Sequence, residues 1–230
     1  MERYLTIVMP IFDDMTPLDF TGPYQFLVRT PRTRVFVASM GGASVDAEGL
    51  HFSGLEALED IGTCDVLCVP GGKGVMSTLQ NDAFLDQIQR LGRSARYITS
   101  VCTGSLILAA AGLITGRHAA CHWASRDLLT TFGVIPTASR VVRDGNLLTG
   151  GGVTAGIDFA LILIAELAGE DVARELQLRM EYAPEPPFEA GRPETAPPHV
   201  LRSVRASMSR MAPDRQKCVN AVAQRRGLNI

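Results

Sequence analysis

The sequence predicts an α/β protein with a doubly wound, mostly parallel sheet covered by helices on both faces. Short apolar, β-branched runs alternate with segments at helical spacing, which is the signature of successive βαβ units. Several of the runs end in glycine pairs or small polar residues, the turn chemistry expected where parallel strands give way to helices. With 230 residues, 46% of them hydrophobic and 20% charged, the chain can bury a core of that size.

The elements follow in order. Residues 6–12 (TIVMPIF) form the first β-like run, and residues 20–29 (FTGPYQFLVR) take up helical spacing behind Asp19, which could cap them. Residues 34–40 (RVFVASM) read as the second strand, and Gly41 and Gly42 open a hairpin-like stretch to Ser53. Residues 65–72 (DVLCVPGG) form a buried strand ending in a glycine pair, followed by a helix over residues 83–93. Residues 95–101 (ARYITSV) make the next strand, and residues 105–114 (SLILAAAGLI) a helix that stops near Gly116. A short β run at 118–123, a helix at 124–131, strands near 139–142 and 146–148, and helices at 155–168 and 171–182 complete the regular part.

This gives one domain over residues 1–182, a proline-rich connector at 183–198 and a basic helical extension at 199–230 that packs on the domain or a dimer partner. The extension carries +6 and the remainder −8, so the net charge of −2 implies no anionic partner for the whole chain. Five cysteines, an odd number spread along the chain, argue against a disulfide framework. No apolar run reaches the length of about 18 residues that a membrane span needs, and the start has a short apolar run without a small-residue cleavage site, so the expected location is cytoplasmic.

Three corners lie where ligands bind in such sheets: Asp19, Gly71 with Gly72, and Cys102 with Thr103 and Gly104. A fourth, TGGGVTAG at 149–156, joins a late strand to the longest helix. A thiol on a sharp strand-to-helix turn is presented at the sheet top, near a helix end that favours a thiolate. The amide of Thr103, with one from the Gly71–Gly72 turn or Lys73, would face charge developing on a substrate. The alternative for Cys102 is a small residue filling a tight corner, and for Asp19 a helix cap.

Taken together, VPGG, TSVCTGS before an apolar helix, HW, and RVVRDGNLLTGGGVTAGIDFAL resemble the ThiJ/PfpI superfamily, and within it the isonitrile hydratases. The likeness runs from Thr6 to about Pro198, and PLDFTG around Asp19 resembles the segment supplying the acidic partner of the elbow cysteine. It implies a flavodoxin-like sandwich, a homodimer, no cofactor and a small isonitrile substrate. On this likeness Cys102 is the nucleophile and Asp19 its acid/base partner. Thr103 stands where protease-like and glyoxalase-like relatives carry histidine, which speaks against a Cys–His hydrolase. The implied chemistry joins the thiol to the isonitrile carbon as a thioimidate, and water then releases an N-substituted formamide.

Other motifs are given lesser roles. Cys64 and Cys68 are expected to share one face of a strand and fill the core. His118 and His122 flank Cys121 in a β-like context, so no metal is expected there; His122 and Trp123 either line the pocket or support it. Gly150, Gly151 and Gly152 are read as a turn bringing backbone to the pocket or a dimer neighbour, with Gly152 a substrate-side residue. Met208 and Met211 fit helix packing. Two rival functions remain: a thiol sensor using Cys102 without turnover, and a transcription regulator. Against the latter, the residues after Pro198 are too few for a pair of helix-turn-helix units, and nucleic acid is not the expected partner.

Overall fold

The computed structural model describes residues 3–209 and 212–228. The first βαβ unit consists of β1 (Leu5–Pro10), α1 (Pro17–Leu27) and β2 (Thr33–Ser39), followed by a hairpin of β3 (Val45–Ala47) and β4 (Leu50–Phe52) and by the short β5 (Glu56–Ala57). A second unit consists of β6 (Val66–Val69), α2 (Val75–Thr78), α3 (Asp82–Ser94) and β7 (Tyr97–Val101). Then come α4 (Gly104–Ala110), β8 (His118–Ala119), β9 (Ile135–Pro136), β10 (Val141–Asp144), β11 (Leu147–Gly150), α5 (Ala155–Ala168) and α6 (Glu170–Arg179). The C-terminal segment holds α7 (Pro198–Ser209) and α8 (Ala212–Arg225).

One sheet of seven strands runs in the order β10-β11-β7-β6-β1-β2-β5. Every neighbouring pair is parallel except β10 with β11. This is the doubly wound arrangement that the alternating pattern predicts and the flavodoxin-like sandwich that the family likeness implies. β6 and β7 are buried along their whole length, which is why both read as continuous apolar runs rather than alternating ones. The chain moves one way across the sheet from β1 to β2 and the other way from β6 to β7. Right-handed crossovers therefore put α1 and α3 on opposite faces. In agreement, α1 packs on α5 and α3 packs on α4. The order reverses between β1 and β6, so the topological switch point lies at their carboxyl ends, next to that of β7.

Several local expectations are corrected. α1 begins at Pro17, not Phe20, because Thr16 is the extended cap residue and proline suits the first helical turn. Asp19 thus lies inside that turn, and its side chain does not cap the helix. The expected α-helix at 124–131 is a 3-10 segment, Arg126–Phe132, in which Leu128 N–H donates to Ser125 O and Gly133 N–H to Thr130 O. Thr130 and Thr131 are poor α-helix formers, and the left-handed Gly133 ends the segment. Cys64 precedes β6 instead of sharing its face with Cys68, although both are buried.

α8 buries Val219, Val222 and Ala223 and rests against α2 and the 3-10 segment. Burying a valine contributes about 1.5 kcal/mol or more. Arg225 pairs with Asp82 and the largely covered Arg226 with Asp86, which tie the end of the segment to α3. α7 buries no residue and packs on α8. Arg210 and Met211 lie outside the described residues.

Candidate active site

Cys102 follows β7 with φ 58°, a left-handed conformation that a non-glycine residue adopts at a cost of about 1–3 kcal/mol. Its surroundings hold it there. Its N–H donates to Gly150 O at 3.0 Å, and its carbonyl accepts from Ser105 Oγ at 3.1 Å. A side chain on Gly104 would stand 2.3 Å from Val69 O, so only glycine lets α4 start this close to β6. The outcome is a thiol on a sharp corner, 5% exposed.

Asp19 arrives from the first turn of α1 and is fully buried. Its Oδ2 accepts from Gly71 N–H at 3.0 Å, whereas Oδ1 has no hydrogen-bond partner. The carboxyl lies close enough to the Cys102 thiol for each to shift the other's titration. Burial raises Asp19 to about 7, against the opposing pull of the Gly71 amide and of Cys102. Glu48, at the tip of the β3–β4 hairpin, adds a small push in the same direction.

Burial, with the charges of Asp19 and Cys121, pushes the Cys102 thiol well above its usual value, while the Thr103 amide pulls it down. The expectation of a helix-stabilised resting thiolate is therefore corrected: α4 has seven residues, and desolvation outweighs its end. Two closely coupled groups of this kind lose protons as a pair. The first comes off near neutrality, leaving one proton between carboxyl and thiol.

The glycine pair performs a different task from the one expected of it. Gly72 N–H donates to Thr103 Oγ1 at 2.9 Å, and Gly71 N–H is engaged by Asp19. Neither amide is directed at a substrate; together they tie the elbow and the acid into one frame. Thr16 N–H donates to Gly71 O at 2.9 Å, which closes the frame on α1. Thr103 thus offers its side chain to Gly72 and its amide to the Cys102 sulfur.

Gly152 is half-buried in the turn before α5, and a Cβ there would come no nearer than 3.7 Å to His122 Cδ2. His122 Nδ1 accepts from Ala124 N–H at 3.3 Å, and burial with Arg215 lowers its pKa. His51 pairs with Asp46, and His118 Nδ1 lies 3.2 Å from Thr137 Oγ1. Among the described residues no histidine hydrogen-bonds to Cys102 or Asp19. Cys64, Cys68 and Cys121 are all pushed up to about 12 by burial, which leaves them unreactive. No group of three or more His, Cys, Asp or Glu that could hold a metal occurs among the described residues. Sequence reasoning missed Ser105 as the fastener of the elbow and Glu48 as a neighbour of Asp19. The Glu-Gly hairpin tip was the signal for Glu48, but only the folded hairpin relates it to α1.

A doubly wound sheet carrying a buried cysteine elbow beside a buried carboxyl defines a class of protein. Residues 5–166 match the DJ-1/PfpI family, and the chain belongs to that family. Over 202 residues it is 49% identical to the isonitrile hydratase of Pseudomonas putida, covering 87% of this chain and 89% of that protein. The crystal structure of a THiJ/PfpI family protein from Pseudomonas syringae superposes with a TM-score of 0.89 at 38% identity, covering 96% of this chain and 90% of the other. The HTH-type transcriptional regulator CdhR of Pseudomonas aeruginosa is 30% identical over 135 residues, which cover 58% of this chain and 40% of the regulator.

Proposed function

We propose that the protein is an enzyme that adds water to an isonitrile to give an N-substituted formamide, with Cys102 as nucleophile and Asp19 as proton carrier. The observation that carries this reading is the fully buried Oδ1 of Asp19, without a hydrogen-bond partner, on a carboxyl beside the thiol. The 49% identity to an isonitrile hydratase supports the choice of substrate class. An isonitrile carbon must gain both a nucleophile and a proton, and a thiol–carboxyl pair holding one proton supplies both.

In the first half, sulfur bonds to the terminal carbon while the shared proton passes through Asp19 to the same carbon. The product is a thioimidate, and Asp19 is left as a carboxylate. In the second half the carboxylate takes a proton from water as its oxygen bonds to the carbon, and that proton goes to nitrogen. The tetrahedral species then breaks its C–S bond, the hydroxyl proton returns to the pair, and the formamide leaves. The frame of Thr103, Gly71 and Gly72 holds the two groups in register, and Gly152 gives backbone access beside His122. No histidine is required in any step.

Exposed Leu18 on α1 and Ile162 on α5 lie on one covered-helix layer, and we read that layer as the contact of a homodimer, tested by sedimentation. No helix among the described residues is long and apolar enough to cross a membrane, in keeping with a cytoplasmic enzyme. The thioimidate is the feature most specific to this mechanism. Acid quenching during turnover of an aryl isonitrile, followed by peptide mass analysis, is expected to show the Cys102 peptide heavier by one whole isonitrile. Formamide production with no adduct on that peptide at any time point would rule out covalent catalysis.

A further inference from the structure

Trp123 is the single tryptophan of the chain and forms one wall of a cavity of about 280 Å³, with the C-terminal helices opposite. Leu128 and Met208 continue the apolar lining, while Arg205 of α7 and Arg215 of α8 bring two guanidinium groups to it. Ala212, the first residue of α8, also lines the cavity, so the positive end of a fourteen-residue helix lies at the same place. Among the described residues no acidic side chain lines it.

The two arginines differ from Arg225 and Arg226. Arg225 and Arg226 of the same C-terminal part are paired with Asp82 and Asp86. Among the described residues Arg205 and Arg215 have neither an ion pair nor a hydrogen bond. Two cations without an acidic partner at one cavity repel each other, with water screening the exposed Arg205 more than the half-buried Arg215. A carboxylate satisfies both through charge-assisted hydrogen bonds, and an apolar body attached to it fills the space between Trp123 and Met208. An ammonium group would add to the repulsion, and an alcohol would leave it in place.

We propose that this cavity is a binding site for an apolar molecule ending in one carboxylate, of the aryl- or alkyl-alkanoate class. The site is independent of the isonitrile reading. It is linked to the candidate active site: the His122 ring lies beside Trp123 with centroids 5.7 Å apart, and His122 follows Cys121, whose charge acts on Cys102. The carboxylate could therefore belong to a separate small acid or to the far end of a substrate.

Calorimetric titration of the full chain with 4-phenylbutyrate, 4-phenylbutanol and 4-phenylbutylamine tests the site, with Trp123 emission read in parallel. The acid is expected to bind and to shift Trp123 emission, with the alcohol and the amine at least about tenfold weaker. Arg205→Gln combined with Arg215→Gln is expected to weaken the acid at least about tenfold with an unchanged circular dichroism spectrum. The single Arg205→Gln, at an exposed position, gives a smaller loss and covers the case of a double variant that does not fold. Equal binding of acid and alcohol, acid binding retained in the folded variants, or neither heat nor emission change would overturn the proposal. Turnover then separates the two sources. A KM for isonitrile raised by 4-phenylbutyrate at constant kcat assigns the carboxylate to the substrate's own tail, and unaffected turnover assigns it to a separate ligand; both uphold the cavity.

Discussion

Asp19 and Cys102 are both pushed toward their protonated forms by burial, and the consequence is a pair that holds two protons in acid and one near neutrality. The doubly protonated form has no nucleophile, so kcat/KM is expected to rise with pH, levelling above about 7, the value to which Asp19 is raised. The limb near pH 7 is absent in Asp19→Asn, which retains the hydrogen bond from Gly71 but carries no titratable proton. A wild-type profile flat from pH 5 to 9 would contradict the shared-proton scheme. At this scale Cys102 was legible because a thiol among small polar residues at a strand end is uncommon. The neighbour it would meet was not: Asp19 lies 83 positions earlier in the chain, and only the family likeness preferred an acid over a cap. The tasks of Gly71 and Gly72 were misread for a related reason. A sequence shows that a glycine turn has free amides, but not that Asp19 and Thr103 occupy them.

Elements were read well where tertiary burial and local pattern agree. β6 and β7 are apolar runs in the sequence and buried along their length in the fold, and the apolar run of α5 buries one face. The reading failed where a backbone detail decides, as in the earlier start of α1 at Pro17 and the 3-10 geometry of Arg126–Phe132. The turn after β6 is such a detail, and it carries the site. Gly72 has φ 140°, and a Cβ there would stand 2.3 Å from Thr16 N, so backbone must move if any side chain is added. Gly72→Ala is expected to cost at least about 2 kcal/mol in chemical denaturation and to lower kcat by separating α1 from the elbow. Gly152→Ala, with no contact nearer than 3.7 Å, is expected to stay within about 0.5 kcal/mol of wild type. Equal stability of the two variants would show that the frame around Gly72 yields without cost.

Across the whole molecule the raised Asp19 pKa is a stability term with a definite sign. The group sits near 3.8 in the unfolded chain and near 7 in the fold, so folding is penalised as pH rises between those values and the penalty is constant above about 7. Asp19→Asn is therefore expected to raise Tm at pH 8, by an amount on the order of a few kcal/mol in stability, and to lose that advantage toward pH 4. A variant no more stable at pH 8 than at pH 4, relative to wild type, would argue against a buried acid. The sandwich and its topological switch point were legible throughout, because alternation of elements constrains the sheet. The placement of the C-terminal helices was not, since α8 buries Val219 and Val222 against surfaces assembled from distant segments. The central claim is that this fold brings one thiol and one carboxyl together to hydrate an isonitrile. Formamide formed from cyclohexyl isocyanide by wild type, Cys102→Ala and Asp19→Asn, side by side and fully reduced, tests it most directly. The account predicts turnover by wild type, none by Cys102→Ala, and a rate lower by about 10²–10⁴ in Asp19→Asn. No formamide from the reduced wild type, or undiminished turnover by Cys102→Ala, would contradict it.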